Sequence, residues 1–475
     1  MIFNSFNFLV VFPLLFLLYY AIPAKRQAWR NVYLLVVSYL LYMNFRPSYA
    51  VILLGVTMIT YTAARIVERR ENLAGVRKNI LIVGVLLTLL PLLVFKYYNF
   101  INTSCMSLLS EVGMRFELPG LNWAVPVGIS FFTFQALSYL WDVYYGKMKA
   151  ERNFLHYALY VSFFPSIVSG PINKASLILP QIKALRPYFD YSKAVAGLKC
   201  MLWGMFMKVV VADRVALYVD TVLPRYENYS GLSCFAASLL YSVQIYADFA
   251  GYSLMAIGVG KLLGFELTEN FRRPYLSYSV TDFWRRWHIS LSTWLKDYVY
   301  IPLGGSRCSR LRNYWNIIVT FLVSGIWHGA NWTFIVWGLW HGVFQVVEKA
   351  LNQQKCRYGT FGKTLKIVIT FLLVNFAWIF FRMPTLGDAC GVIGRIFDIS
   401  AWGGLYLPEK TNTLFIVMGV VMLAVKDLAD EYRPGGLRLM DSRHLGVRWA
   451  AYLFLTVLIL LTGVFDAGQF IYANF

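Results

Sequence analysis

The sequence predicts an all-α, polytopic integral membrane protein, and three observations carry that expectation. Of 475 residues, 58% are hydrophobic and only 14% charged, whereas soluble domains carry about 25% charged residues. The apolar residues gather in roughly a dozen runs of bilayer-spanning length, about 17–25 residues each, too many to pack around one aqueous core. The charge between the runs is basic: Lys and Arg outnumber Asp and Glu by 44 to 24, a net +20, in short segments that read as positive-inside loops facing anionic lipid. Nucleic acid is therefore not expected as a partner. Six cysteines (Cys105, Cys200, Cys234, Cys308, Cys356, Cys390) form no C-x-x-C pair and have no close histidine, so neither a disulfide framework nor a metal site is expected.

The first run, Phe6 to Ile22, has no basic residue before it and is followed by Lys25, Arg26 and Arg30, the reverse of a cleavable signal peptide. It reads as a retained anchor with its N-terminus outside. Segments 31–45 and 48–64 are split by Arg46-Pro47, and the second runs into Arg65, Arg69, Arg70, Arg77 and Lys78, a loop expected in the cytoplasm. Segment 80–95 then runs outward. Across 121–146, Pro126, Gly128, Gln135, Ser138 and Asp142 interrupt apolar sequence, which predicts a broken or cavity-lining segment. Further apolar segments fall near 154–170, 195–222, 232–263, 314–328, 331–350, 365–382, 412–428 and 447–465. No composition shift separates them, so 1–475 is treated as one domain. Arg443, His444 and Arg448 precede the last span, which places the tail 468–475 outside. No period of 20–50 residues or inverted repeat is visible.

Several polar residues fall where the membrane makes them expensive. Asp248 sits in YADFAGY with apolar sequence on both sides, and an Asp at a helix centre costs about 2.5–3.5 kcal/mol on insertion scales. It needs a partner; Lys208 and Asp213 fall in another span and Asp142 in a third, so buried ion pairs are expected, with scaffold and functional roles both open. The glycines of GVGKLLG (258–264) follow no strand and read as a helix-packing seam. Segment 281–296, TDFWRRWHISLSTWLK, opens on Thr281 as N-cap and repeats apolar residues at 284, 287, 291, 294 and 295. It predicts one amphipathic helix at the cytoplasmic interface, with His288 on the apolar stripe, either as a satisfied core residue or a working one. In SGIWHGANW (324–332), Gly325 and Gly329 form a G-x-x-x-G pair with His328 about 60° from that seam. His328 is thus expected to point into protein, where desolvation leaves an imidazole uncharged and able to accept a proton. His341, in GLWHG 13 residues on, reads as structural, while His156 and His444 read as loop or interface residues.

Five strings, SFFTFQALSYLWDVYYGK (130–147), FFPSIVSGPI (163–172), YSVQIYADFAGYSLMAIGVGKLLGF (241–265), NFRRPYLSYSVTDFWRRWHISLSTWLKDYVYIPLGGSR (270–307) and SGIWHGANWTFIVWGLWHG (324–342), together resemble the membrane-bound O-acyltransferases. The likeness is to the bacterial alginate and peptidoglycan O-acetyltransferase membrane subunits, and is most characteristic over 121–345. It implies a ring of about 11–14 transmembrane, re-entrant and interfacial helices around a central tunnel. His328 matches the family's essential histidine and His288 its second one. Relatives often have serine and an acid where this chain has Ala250 and Leu254, while Asp248, Gly251 and Tyr252 match.

The resemblance further implies an acyltransferase of the bacterial inner membrane, using acetyl-CoA or an acyl-carrier thioester as substrate, with no tightly bound cofactor. A partner resembling serine hydrolases of the SGNH type is implied to complete transfer to an exported polysaccharide; this chain has no G-x-S-x-G elbow of its own. Within that expectation His328 is the base and His288 orients the donor or stabilises the oxyanion, with Asn331 a further oxyanion candidate. Arg272, Arg273, Arg285 and Arg286 are candidate donor-phosphate contacts or, equally, topology charges meeting lipid. Gln135, Asp142 and Asp248 are candidate tunnel-lining groups. Tyr472, in FIYANF, is either an acyl relay or an interfacial anchor. A non-catalytic transporter of a glycan or lipid-linked intermediate is the competing reading.

Overall fold

A computed structural model describes residues 3, 5–70, 72–114, 119–186, 189–351, 359–433 and 439–465. Among them the secondary structure is helical. The helices are α1 (Phe6–Ala21), α2 (Gln27–Met43), α3 (Pro47–Arg69), α4 (Ala74–Leu92), α5 (Tyr98–Glu111), α6 (Ile129–Tyr144), α7 (Phe154–Ser162), α8 (Phe164–Ile167), α9 (Ala175–Lys183), α10 (Tyr191–Met205), α11 (Asp213–Val222), α12 (Gly231–Leu262), α13 (Val280–Arg286), α14 (Ile289–Leu295), α15 (Arg310–His328), α16 (Trp332–Ala350), α17 (Thr360–Arg382), α18 (Leu386–Phe397), α19 (Lys410–Tyr432) and α20 (Leu445–Thr462). Among the described residues, seven helical stretches are long and apolar enough to cross a membrane, or eight if a bent pair counts as one span. The protein is a multi-pass membrane protein.

That bent pair is α1 and α2, which turn through 101° between them. The segments expected at 6–22 and 31–45 are thus helices of 16 and 17 residues that meet at a sharp bend.

The chain forms two compact units, residues 1–197 with 259–268, and residues 198–258 with 269–475. In the first, α3, α4 and α6 pack closely. The segment expected to be broken over 121–146 resolves into an irregular approach and a helix that starts at Ile129 and is buried along nearly its whole length. Gly128 makes the entry: its φ is +76°, and a Cβ there would lie 2.2 Å from the Ile167 carbonyl oxygen, so any other residue meets both strain and a clash. Gln135 and Asp142 belong to this unit. Gln135 donates to the Tyr160 carbonyl at 2.6 Å, and Asp142 lies 3.6 Å from the Lys147 ammonium.

In the second unit, α10 continues through a π-helical segment, Phe206–Ala212, into α11. A π-helix brings residues five apart onto one side, and so the Lys208 ammonium reaches Asp213 at 2.8 Å; Asp248 of α12 meets the same ammonium at 2.7 Å. The buried charges expected to pair do so. At the α15–α16 hairpin both glycines of the expected seam face α16: Gly329 is the C-cap of α15, a Cβ on it would lie 2.0 Å from the Phe334 ring, and Gly325 also meets Gly338. A Cβ on Gly325 would lie 2.3 Å from the Phe334 carbonyl oxygen, and one on Gly338 2.4 Å from that of Phe321.

Candidate active site

The expected single helix over 281–296 is two short helices, α13 and α14, and the break between them is the centre of the site. Their N-terminus is also set differently from the sequence expectation. Ser279, not Thr281, is the cap, accepting from the Asp282 N–H, and the Glu348 carboxylate of α16 accepts from the N–H groups of Val280 and Thr281 and from the Thr281 hydroxyl. An acceptor from 68 residues away therefore fixes where α13 begins.

At the break, Trp287 is extended and His288 has φ +44° and ψ +53°. His288 and Arg273 are the only non-glycine residues with positive φ among the described residues. Such a conformation costs about 1–3 kcal/mol, persists only where its surroundings over-determine it, and clusters at functional sites. The surroundings are visible. The Asn270 carbonyl accepts from the Ile289 N–H at 3.0 Å, and the Asn270 side-chain oxygen accepts from the N–H and hydroxyl of Ser290 at 3.2 and 2.9 Å. His288 Nδ1 lies 3.2 Å from that same oxygen. A backbone N–H only donates, so the atom facing Ser290 is the amide oxygen, and Nδ1 of His288 must carry the proton. The ring, fully buried, then has its lone pair on Nε2. In this tautomer His288 accepts at Nε2, the form of the ring that can take a hydrogen bond from a hydroxyl.

His328 ends α15 with the same polarity. Its Nδ1 lies 2.7 Å from the Ser324 carbonyl oxygen, an acceptor only, so Nδ1 donates and Nε2 is the basic nitrogen. The side chain is 2% exposed, and the rings of Trp337, Trp327 and Phe381 lie 4.7, 4.9 and 5.5 Å away. The placement into protein expected from the sequence holds, and Gly329 ends the helix beside it against the Phe334 ring. The two histidines are neighbours, with ring centroids 6.5 Å apart. Phe249 of α12 packs edge-on against His288 at 4.7 Å. His341 sits beyond Trp337, 5.0 Å from that ring, among Phe283, Trp284 and Trp378.

The other expected site residues are distributed differently. Asn331 caps α16, accepting from the Thr333 N–H and donating to the Pro384 carbonyl, so its side chain serves the helix start. The arginines are not a bare basic group. Arg273 and Arg286 share Glu431 at 2.7 and 2.9 Å, Arg286 also meets Asp282 at 3.0 Å, and Arg272 pairs with Glu269 at 2.6 Å, while Arg285 is exposed. Arg272 and Arg273 do line a pocket of about 220 Å³, together with Lys426, Tyr246, Ser253 and Asn270. Tyr472 lies outside the described residues. Asn270, Ser290 and Glu348 escaped the sequence reading; the one available signal was that Asn270 opens the string carrying His288.

The sequence profile of the membrane-bound O-acyltransferase family matches residues 149–386, which hold both histidines. The chain is 38% identical over 434 residues to a probable alginate O-acetylase of Pseudomonas aeruginosa, covering 90% of this chain and 81% of that protein. It is 36% identical over 442 residues to a peptidoglycan O-acetyltransferase of Helicobacter pylori, covering 87% and 82%. Over a shorter stretch of 212 residues, 43% of this chain and 53% of the relative, it is 30% identical to a teichoic acid D-alanyltransferase of Bacillus subtilis. Two buried imidazoles of defined tautomer, in a multi-pass helical protein with these relatives, make the chain an acyltransferase that belongs to the membrane-bound O-acyltransferase family.

Proposed function

We propose that this acyltransferase takes an acyl group, acetyl in the first instance, from a cytoplasmic thioester donor and passes it across a bacterial inner membrane for O-acetylation of an exported polysaccharide, with N- and C-termini outside. The relatives' names support a glycan acceptor, since they include an alginate O-acetylase and a peptidoglycan O-acetyltransferase. The observation that carries the chemistry is His328, whose Nδ1–H is committed to Ser324 so that Nε2 is the basic atom. The acceptor hydroxyl oxygen bonds to the thioester carbonyl carbon as Nε2 takes the hydroxyl proton. Collapse of the tetrahedral intermediate breaks the C–S bond, and the thiolate leaves with that proton. General-base catalysis of this kind contributes about 10²–10⁴-fold. His288, accepting at Nε2, orients the hydroxyl.

The donor's phosphates are assigned to Arg272 and Arg273 at the pocket that they line, with Lys426 beside them. An extracytoplasmic SGNH-hydrolase-like partner is assigned the last transfer to sugar, and Tyr472 the role of acyl relay. The test is His328→Asn. Its amide nitrogen replaces Nδ1 and keeps a donor for Ser324 but supplies no base. Membranes carrying it, given radiolabelled acetyl-CoA, are expected to lose about 10²–10⁴-fold of ester label on the glycan. Label at the wild-type level removes His328 as the base.

A further inference from the structure

Asn270 belongs to no helix, yet it grips the turn at His288 from both sides of the chain. Its backbone carbonyl holds Ile289, its side-chain oxygen holds Ser290, and the same oxygen fixes the proton on His288 Nδ1. Its amide nitrogen is anchored in turn, donating to Ser253 Oγ of α12 at 3.2 Å. Asn270 is 1% exposed, and it and Ser253 both line the 220 Å³ pocket. An asparagine at this point does what neither a small residue nor a long one does: it offers an uncharged acceptor to the imidazole and a donor to the opposite helix.

We propose that Asn270 is a positioning residue for acyl transfer, holding His288 in its left-handed turn as the Nδ1–H tautomer, from the wall that separates His288 from the donor pocket. The inference rests on the acyl-transfer reading above. A partner that orients a working imidazole and fixes its tautomer is worth about 10–100-fold when removed, even though it touches no reacting atom. Among the described residues, His328 of α15 is the titratable ring that neighbours His288, its centroid 6.5 Å away. Asp282 and Arg286 of α13 are paired together and with Glu431 of α19, and Asp248 of α12 is paired with Lys208.

Two substitutions separate positioning from a merely structural role, each assayed in membranes with acetyl-CoA. Asn270→Ala removes the acceptor; kcat is expected to fall about 10–100-fold with the KM for donor little changed. Asn270→Asp has the same shape and keeps the acceptor for Ser290 and His288, but places a negative charge beside Nδ1–H. That charge favours the imidazolium, so His288 holds its proton to higher pH, and the acidic limb of the rate–pH profile is expected to move up by about one unit or more. Activity then returns toward wild type on the alkaline side. A residue needed only to shape the turn gives Asn270→Asp the wild-type profile. That result, or undiminished kcat in Asn270→Ala, overturns the proposal. His328→Asn is run in parallel: if it is inactive while both Asn270 variants match wild type, the inference falls and the acyl-transfer reading stands. If His328→Asn itself is fully active, the reading falls and the inference falls with it. Where Asn270→Ala does not accumulate, the profile of the isosteric Asn270→Asp decides alone.

Discussion

Lys208→Met offers a graded test of how the second unit is held together. Lys208 is 3% exposed and faces Asp213, 7% exposed, and Asp248, 1% exposed. Removing the ammonium leaves two buried carboxylates without the cation they share, and breaking a buried pair from one side costs about 3–5 kcal/mol because the remaining charge stays desolvated. Asp248→Asn removes one of the two carboxylates and leaves Lys208 facing Asp213 one to one. It is expected to cost much less. The order, Lys208→Met far worse than Asp248→Asn, follows from the count of one ammonium against two acids. The consequence reaches the site, because α12 carries Phe249 against His288 and Ser253 against Asn270. Thermal unfolding in lipid nanodiscs, followed by fluorescence of the 15 tryptophans, reads the effect. A fall in Tm on the order of 5–10 °C is expected for Lys208→Met. A melt within about 2 °C of wild type, or an Asp248→Asn protein less stable than Lys208→Met, would refute the reasoning.

Two further outcomes are expected. Gly338→Ala puts a methyl 2.4 Å from the Phe321 carbonyl oxygen, so α15 and α16 must separate at the point that aims His328; the folded yield from membranes should fall and the remaining protein should lose at least about tenfold in acetyl transfer, whereas an unaltered rate would show that the seam does not set the site. Tyr472→Phe keeps the ring and removes the hydroxyl, so an acyl relay predicts loss of glycan acetylation with the donor still bound, and full retained transfer would leave Tyr472 as an interfacial anchor.

Much of this molecule was legible along the chain because the bilayer imposes strong local rules. Apolar run length marked the helices, and the cost of an ion in hydrocarbon demanded partners for Lys208, Asp213 and Asp248. The apolar stripe of 281–296 placed His288 inside, and the spacing around Gly325 placed His328 there too. Each of these is a short-range property, readable from neighbours three, four or seven residues away.

What the tertiary structure alone decided is the chemistry of the His288 ring. Whether an imidazole donates or accepts at Nε2 depends on which atom sits against Nδ1. For His288 that atom belongs to Asn270, 18 residues away, and the start of the preceding helix, α13, is likewise set by Glu348, 68 residues from Val280. The break at His288 exists because Asn270 satisfies the Ile289 and Ser290 N–H groups that a continuous helix would have satisfied internally. Glu431 likewise takes up Arg273 and Arg286 from more than a hundred residues along the chain. Periodicity reports which face of a segment is buried, but a hydrogen bond is short and directional, and its partner is chosen only when the chain has brought remote segments within about 3 Å of each other.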